Sequence, residues 1–251
     1  MTTPSRFWAD LSTRQFAQLD AQRTIAVLPV AAIEQHGPHL PVSVDTVLVD
    51  GVVRASLDHL PADLPVLFLP TQAVGFSPEH QRFPGTLTLK ADTVLRLWTD
   101  IGESVAAAGI RKLVLFNAHG GQVSVMDLVA RDLRARLDML VYSVSWFNLP
   151  LQDEQGQDLN RRFSAEEHRF GIHAGEIETA MMLALDPAPL FWPAGSGGRF
   201  KGMIDLRNRH FLPYAKRTGG PADADEGHPD PVAFDGNSIS DFLSEKEKEE
   251  L

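Results

Sequence analysis

Apolar runs alternate with amphipathic segments along the chain as far as residue 185, and this order limits the possible folds more than any other feature. The apolar runs have the length of strands, and the segments between them show the 3.6-residue apolar spacing of helices. A repeated strand–helix order predicts a mainly parallel α/β sheet with helices on both faces. The predicted strands are 24–33, 65–69, 112–117 and 140–146, and the predicted helices are 46–60, 91–109, 122–137 and 175–185.

The length of the chain indicates one domain. The 251 residues are enough for a large α/β domain with a substantial core, so we predict a single domain over 1–251. Residues 151–172 are polar and predict an excursion from the sheet. Residues 191–236 are rich in proline and glycine, and we expect 191–251 to form an irregular C-terminal extension that is available for contacts between subunits.

Composition restricts the compartment and the partners. No segment has the ~18 to 20 apolar residues of a membrane span, and the N-terminus lacks the layout of a secretory signal. The chain contains no cysteine, so neither disulfides nor thiolate metal ligands can form. The formal net charge of -10 argues against a bulk attraction to nucleic acid. These features predict a cytoplasmic protein that binds neither membranes nor nucleic acid.

Potential metal ligands follow the predicted strands. In an open α/β sheet, ligands bind at the carboxyl ends of the strands. Several separate segments deliver His, Asp and Glu to that edge, and their convergence is stronger evidence than a single motif. The segments are 34–45 after the first strand, GFSPEHQRFPGT (75–86) after the second, NAHGGQ (117–122) after the third, and HAGEIET (173–179) at the start of the last helix.

The residue types in these segments indicate a metal site. Imidazole and carboxylate groups together suit zinc, manganese or iron. Two divalent metal ions would need about six protein contacts, with one carboxylate, Asp45, shared between them. The residues that can supply these contacts are Glu34, His36, Asp45, His119 and Glu178.

The NAHGGQ segment has two interpretations. Gly120 and Gly121 allow the backbone to turn tightly and to approach a ligand before a helix N-terminus, which makes them candidates for substrate contact. In this interpretation the ring of His119 faces the cleft. The alternative is an anion or phosphate cradle, although no lysine or hydroxyl residue of the phosphate-loop type follows.

Helix geometry restricts which residues of HAGEIET can share a site. At ~100° per residue, Glu178 lies about 140° around a continuous helix from His173, so the two side chains could not reach one point. Either the helix begins near Gly175 and His173 lies on the preceding loop, or only one of them belongs to the site. The Ala174-Gly175 pair is typical of a loop-to-helix junction and favours the first arrangement. By the same geometry, Glu176 and Glu178 cannot both face a metal.

Together, AAIEQHGPHLPVSVDT, GFSPEHQRFPGTLTL, NAHGGQ and HAGEIETAMMLAL resemble the motifs of the creatininase (creatinine amidohydrolase) family, over roughly residues 22–190. The resemblance implies a three-layer α/β/α sandwich and a dinuclear site that holds zinc or manganese. It also implies hydrolysis of a cyclic amide or formamide, a small-molecule substrate, and a homo-oligomer, often a hexamer. Carried over by position, Glu34 and His119 would bind one metal, His36 would bind the other, and Asp45 would bridge them.

The chain departs from creatininase at two places. Creatininase has a glutamate two positions after the histidine of the second motif, whereas this chain has Gly121, which cannot bind a metal. More distant members also have glycine there, and Glu178 is the implied substitute. Creatininase has a tryptophan just before the third motif, where this chain has RFGI with Phe170. The second departure argues against creatinine itself as the substrate.

These residues predict metal-assisted hydrolysis of an amide by a metal-bridging hydroxide. His173 matches the acid/base histidine of creatininase and would protonate the leaving nitrogen, and Glu176 would orient His173 or bind a substrate N–H. Further candidates for substrate contact are His39, His80, Gly120, Gly121 and Trp146.

Two alternative functions remain open. The same dinuclear site could hydrolyse a lactone, or a cyclic ketone derived from a sugar or inositol. A non-catalytic metal-binding scaffold would keep the ligands but lack the acid, and the presence of His173 argues against it.

Overall fold

The computed structural model describes residues 5–153, 155–185, 191–194, 202–205, 210–213 and 232–233. The chain folds into two units, and each is described by itself. The first comprises Met1–Gln35 and Val42–Gln152, and the second comprises His36–Pro41 and Asp153–Leu251.

A parallel sheet forms the centre of the first unit. Its strands are β1 (Ile25–Val30), β2 (Val66–Phe68), β3 (Lys112–Asn117) and β4 (Leu140–Ser145). They lie in the order β2-β1-β3-β4, and every neighbouring pair is parallel. Val30 pairs with Asn117, so β1 and β3 end side by side and the segments that follow them leave the sheet at the same edge.

Helices pack on both faces of this sheet. They are α2 (Val44–Ser56), α3 (Ala91–Ala107) and α4 (Val123–Leu137), and a short helix, α1 (Thr13–Phe16), precedes β1. Ala26, Leu28 and Val30 belong to a core shared with α3 and α4, whereas Val27 belongs to a core shared with Val53 of α2. Because successive side chains of a strand point to opposite faces, β1 must be apolar along its whole length.

Residues with left-handed backbone follow α3 and α4. Gly109 has a φ of 86°, and Asp138, which caps α4, has a φ of 50°. A glycine in this conformation avoids the steric cost of a Cβ atom and is common just after a helix. Each helix therefore stops shortly before the strand that follows it.

Within its described residues, the second unit has two α-helices and a small antiparallel sheet. The helices are α5 (Ala165–Phe170) and α6 (Glu176–Leu185). The strands are β5 (Phe191–Ala194), β6 (Gly202–Asp205), β7 (His210–Pro213) and β8 (Val232–Ala233), and they pair in that order. Within the described ranges, no helix has both the length and the apolar character needed to cross a membrane.

The predicted α/β fold is confirmed, because the first unit has a parallel sheet between helices. The predicted strands and long helices are all present, with some ends shifted by a few residues. One region differs from the prediction: β5 to β8 lie inside 191–251, which was predicted to be irregular. The short helix α5 lies inside 151–172, which was predicted only as an excursion from the sheet. Elements this short do not contain enough residues to show a helical or strand period. The single domain over 1–251 stays a prediction.

Candidate metal centre

Three buried side chains of the first unit bring metal-ligating atoms together. Glu34 follows β1, Asp45 lies in the first turn of α2, and His119 follows β3. One ligand atom from each lies within 4.8 Å of the others. The side-by-side ends of β1 and β3 explain why Glu34 and His119 meet.

The two ring nitrogens of His119 have different surroundings. Nδ1 lies 3.1 Å from Oε1 of Glu34 and 3.5 Å from Oδ2 of Asp45. Nε2 lies 3.1 Å from the carbonyl oxygen of Phe76, which assigns a proton to Nε2 because a carbonyl can only accept a hydrogen bond. Nδ1 therefore presents either a lone pair or a second proton to two carboxylates. This is the environment of an imidazole that binds a metal through Nδ1.

The electrostatics of the group favour a cation. Burial alone would raise the pKa of Glu34. The hydrogen bond and charge interaction with His119, together with hydrogen bonds from Ser77 and His80, outweigh burial and lower the pKa to about 2. Burial lowers the pKa of His119, but the neighbouring carboxylates, Glu34 foremost, outweigh it and raise the pKa. The carboxylates that stabilise a proton on His119 would also stabilise a divalent cation in its place.

Buried amide side chains hold the loop that carries His119. Oδ1 of Asn117 accepts a hydrogen bond from the backbone N–H of His119 at 3.0 Å, and Nδ2 donates to the His119 carbonyl at 2.7 Å. Gln122 donates to Oδ1 of Asn117 at 2.9 Å and accepts from the N–H of Phe76 at 3.2 Å. These bonds fix the NAHGGQ loop and join it to the segment between β2 and α3.

A short turn in that segment contacts two of the three candidate ligands. Ser77 donates a hydrogen bond to Oε2 of Glu34, and Nδ1 of His80 lies 2.8 Å from the same oxygen. Glu79, between them, has its Oε1 atom 3.3 Å from Nε2 of His119. The turn therefore holds one carboxylate oxygen of Glu34 while the other faces His119.

The second unit brings a different group together: His36, His173 and Glu178. One ligand atom from each lies within 4.8 Å of the others. Nε2 of His36 is 3.5 Å from Oε1 of Glu178. The rings of His36 and His173 meet edge to face, with 4.5 Å between their centroids. His36 is fully enclosed, with 1% of its surface exposed.

The loop before α6 positions two members of this group. α6 begins at Glu176, so His173 lies on the preceding loop, which is the alternative that the Ala174-Gly175 pair favoured. Ala174 has a φ of 56°, a left-handed conformation that is uncommon for a residue with a side chain. Its backbone N–H donates to Oε2 of Glu178 at 2.7 Å. The unusual backbone of Ala174 thus connects the His173 loop to Glu178.

Glu167 of α5 supports the same loop. Its carboxylate is buried, and Oε1 accepts a hydrogen bond from the N–H of Ile177 at 3.0 Å. A Cβ atom at Gly171 or at Gly175 would overlap the Glu167 carboxylate, so both positions need glycine for lack of space. The Ile177 N–H lies in the first turn of α6, where backbone N–H groups have no partner within the helix. A carboxylate there is also stabilised by the positive end of the helix dipole.

Other predicted site residues occupy defined places in their own units. In the second unit, Nε2 of His39 lies 3.0 Å from Oγ1 of Thr179, and burial lowers the pKa of His39 to about 4, so the ring is neutral near pH 7. Glu176 is exposed on the first turn of α6. In the first unit, Trp146 packs against an apolar cluster that includes Ala118. Their catalytic and substrate roles stay predictions.

Sequence reasoning missed the residues that hold the candidate ligands in place. Within GFSPEHQRFPGT only the histidine received a role, because histidine is the more common metal or substrate contact. Glu167 gave no signal, since its role depends on a contact with a later helix. The missed residues are Ser77, Glu79, Asn117, Gln122 and Glu167.

Both groups fit a divalent cation by their chemistry. Each combines imidazole nitrogen with carboxylate oxygen, the donor types that zinc and manganese accept. In the first group two carboxylates are buried against one imidazole, and buried charges of like sign require a compensating positive charge. The residues present therefore match the metal chemistry predicted from the sequence.

Comparison with known proteins agrees with this site. The family model "Creatininase: Creatinine amidohydrolase" matches residues 9–190. The mycofactocin precursor peptide peptidase of Mycobacterium tuberculosis is 31% identical over 219 residues, covering 84% of this chain and 79% of that protein. The creatinine amidohydrolase of Pseudomonas putida is 30% identical over 198 residues, covering 73% of each chain. A solved structure named "Creatininase Mn" superposes with a TM-score of 0.61 at 26% identity, covering 88% of this chain and 82% of the other.

Proposed function

This chain belongs to the creatininase family, and on this premise we propose that it is a divalent-metal-dependent amidohydrolase, which hydrolyses the C–N bond of an amide. The observation that carries the proposal is the buried group of Glu34, Asp45 and His119, whose ligand atoms lie within 4.8 Å of one another. Burying two carboxylates beside an imidazole is unfavourable unless a positive charge joins them.

We assign one cation to Glu34, Asp45 and His119, and a second cation to His36 and Glu178. The family resemblance implies that Asp45 serves both. The manganese form named among the solved relatives supports manganese, and zinc suits the same donors. When bound, such cations supply Lewis-acid polarisation of a carbonyl group and lower the pKa of water.

The chain's own residues supply orientation and proton transfer. An amide nitrogen is a poor leaving group until it is protonated, and a histidine with an ordinary pKa near 6.5 is a suitable donor at neutral pH. We assign this role to His173, which lies on the loop before α6. We assign Glu176 to orienting His173 or binding a substrate N–H. His39 and Trp146 are proposed substrate contacts.

Two kinds of amide are candidate substrates. The sequence motifs favour a cyclic amide or a formamide. The peptidase among the relatives favours, as a second candidate, an amide bond within a peptide. A panel that contains a lactam, a formamide, short peptides and a lactone would separate these possibilities. Hydrolysis of the lactone alone would contradict the amidohydrolase proposal.

The decisive variant is Asp45→Ala, with metal content measured by mass spectrometry and activity measured on the panel. We expect loss of bound metal and of nearly all activity. Asp92→Ala is the matched control, because Asp92 also lies in the first turn of a helix but is exposed. Full metal content in Asp45→Ala would contradict the assignment of Asp45 as a ligand.

A second variant, His173→Ala, separates proton transfer from metal binding. We expect it to retain the metal and lose turnover. The exposed His59 provides the control, since His59→Ala should change neither property. Unchanged kcat in His173→Ala would remove it from the acid role, and loss of metal would make it a ligand instead. Metal binding without hydrolysis of any panel member would favour a non-catalytic scaffold.

The resemblance also implies a homo-oligomer, and we propose that the chain assembles with copies of itself. Light scattering coupled to size-exclusion chromatography gives the molar mass directly. A mass equal to that of one chain, 27.6 kDa, would contradict this proposal.

A further inference from the structure

Gly121 has no room for a side chain, because a carboxylate from another segment occupies the space. A Cβ atom built at Gly121 would overlap Oε1 of Glu79 and would lie 2.5 Å from Nε2 of His119. The neighbouring Gly120 differs, since a Cβ atom there meets nothing within 4 Å. Neither glycine has a positive φ, so space, and not backbone conformation, is what requires glycine at position 121.

The carboxylate that fills this space also contacts a candidate metal ligand. Oε1 of Glu79 is 3.3 Å from Nε2 of His119, the nitrogen on the side of the ring away from Glu34 and Asp45. About 40% of the Glu79 side chain is exposed, whereas His119 is buried. Glu79 therefore contacts a buried ring from a position that is itself partly exposed to water.

Carboxylates in this position have a known physical effect on metal-binding histidines. A negative charge beside the outer nitrogen stabilises the proton there, fixes the ring orientation, and makes the inner nitrogen a stronger donor. In this chain the Phe76 carbonyl accepts the hydrogen bond from Nε2 of His119, and Glu79 adds the charge. The same turn also contacts Glu34 through Ser77 and His80, so Glu79 lies on a turn that positions a second candidate ligand.

We propose that Glu79 is a positioning residue for His119 and that Gly121 is the complementary position that makes room for it. The inference rests on the proposed function, because it takes His119 to be a metal ligand. It goes further in assigning a role to a carboxylate that does not itself bind the metal. A side chain at position 121 and the carboxylate of Glu79 compete for one space, so their effects on metal binding must depend on each other.

The experiment is a double-mutant cycle that measures the affinity for Mn²⁺ alone by calorimetry, together with the melting temperature of the metal-free protein. The variants are E79A, E79Q, G121A and the double variant E79A/G121A, with G120A as the matched control. We expect E79A and E79Q each to weaken Mn²⁺ binding about tenfold or more, as loss of such a partner typically does. E79Q keeps the shape of Glu79, so its metal-free melting temperature should match that of wild type.

The glycine arm tests the competition for space. We expect G121A to weaken Mn²⁺ binding at least as much as E79A. Once Glu79 is alanine, G121A should cost less than it does alone, and the part that remains comes from the 2.5 Å approach of the Cβ atom to Nε2 of His119. G120A should bind Mn²⁺ like wild type. Additive effects of E79A and G121A would overturn the shared-space argument, and wild-type affinity in E79A and E79Q would overturn the role of Glu79. If G121A does not fold, the comparison of E79A and E79Q with wild type decides the proposal.

Failure of this inference and failure of the proposed function give different results. A wild-type protein that binds no divalent metal contradicts the proposed function. A wild-type protein that binds Mn²⁺ and hydrolyses amides, with E79Q unchanged in affinity, contradicts only the role of Glu79.

Discussion

A Cβ atom at Gly37 would lie 2.5 Å from the Cβ atom of Ala174. Gly37 directly follows His36, and Ala174 directly follows His173. The chain beside His36 therefore packs against the chain beside His173. Both residues have left-handed backbone, with φ of 67° and 56°. The close packing of these two positions explains how the edge-to-face contact of the histidine rings is maintained.

Gly37→Ala should therefore be more damaging than an ordinary glycine substitution. Left-handed backbone alone costs alanine about 1 kcal/mol. Gly156→Ala is the matched control, because Gly156 has a φ of 75° but nothing within 4 Å of a built Cβ atom. We expect Gly37→Ala to lower the free energy of unfolding by at least about 1 kcal/mol more than the control, through overpacking. Chemical denaturation checks this, and equal losses would contradict the packing argument.

Ser77→Ala should destabilise the metal-free protein, because it removes a donor from a buried carboxylate oxygen of Glu34. Such a loss costs about 1–3 kcal/mol. Ser104→Ala is the control, since the Ser104 hydroxyl donates to a backbone carbonyl on the surface of α3. A loss in Ser77→Ala no larger than in Ser104→Ala would count against the role of Ser77.

The effect of Ser77→Ala should also depend on pH. The pKa of Glu34 is lowered from its ordinary value of 4.5 to about 2, so its ionised form stabilises the fold above pH 4.5, and this stability is lost as the pH falls toward 2. Without the Ser77 hydrogen bond the pKa of Glu34 is lowered less. The ionised carboxylate then stabilises the fold of the variant less than it stabilises wild type. We expect the difference between wild type and variant to be largest above pH 4.5 and to shrink toward pH 2. Denaturation curves of metal-free protein across this range measure it.

Glu167→Gln should loosen the start of α6. Glutamine replaces the charged acceptor of the Ile177 N–H with a neutral one, which costs about 0.3–1 kcal/mol at a helix N-terminus. Hydrogen exchange at the Ile177 amide should become faster. Glu166→Gln is the control, because Glu166 is the exposed neighbour of Glu167 and its substitution should leave this exchange rate unchanged. Unchanged exchange at Ile177 would show that α6 does not depend on this carboxylate.

The sequence predicted the elements that a local pattern specifies. β3 was predicted with the bounds found, Lys112–Asn117, because a glycine stop precedes it and a polar loop follows it. The start of α6 at Glu176 was predicted within one residue, because the Ala174-Gly175 pair is typical of a loop-to-helix junction. Parallel strands then bring the polar ends of β1 and β3 to one edge, which is why Glu34 and His119 could be predicted to meet.

Contacts between distant segments could not be predicted in the same way. The sequence shows Gly121 but not the carboxylate of Glu79 that occupies its space. From the sequence we attributed this glycine to a tight turn and to close approach of a ligand, and the structure adds that Glu79 leaves no space for a side chain there. Glu167 likewise gives no local sign that it reaches the start of α6. Only the folded chain reveals which residues share a volume.

Removal of divalent metal should destabilise the protein, because Glu34 and Asp45 are buried together beside His119 and lose their compensating charge. Addition of Mn²⁺ at 100 times its Kd should stabilise the chelated protein by about 2.7 kcal/mol, the amount that mass action gives for one site. Thermal melting before chelation, after chelation and after Mn²⁺ addition measures this. Asp45→Ala is the control and should show a much smaller response to Mn²⁺. A wild-type melting temperature that does not change with Mn²⁺ would mean that this buried group does not hold a cation.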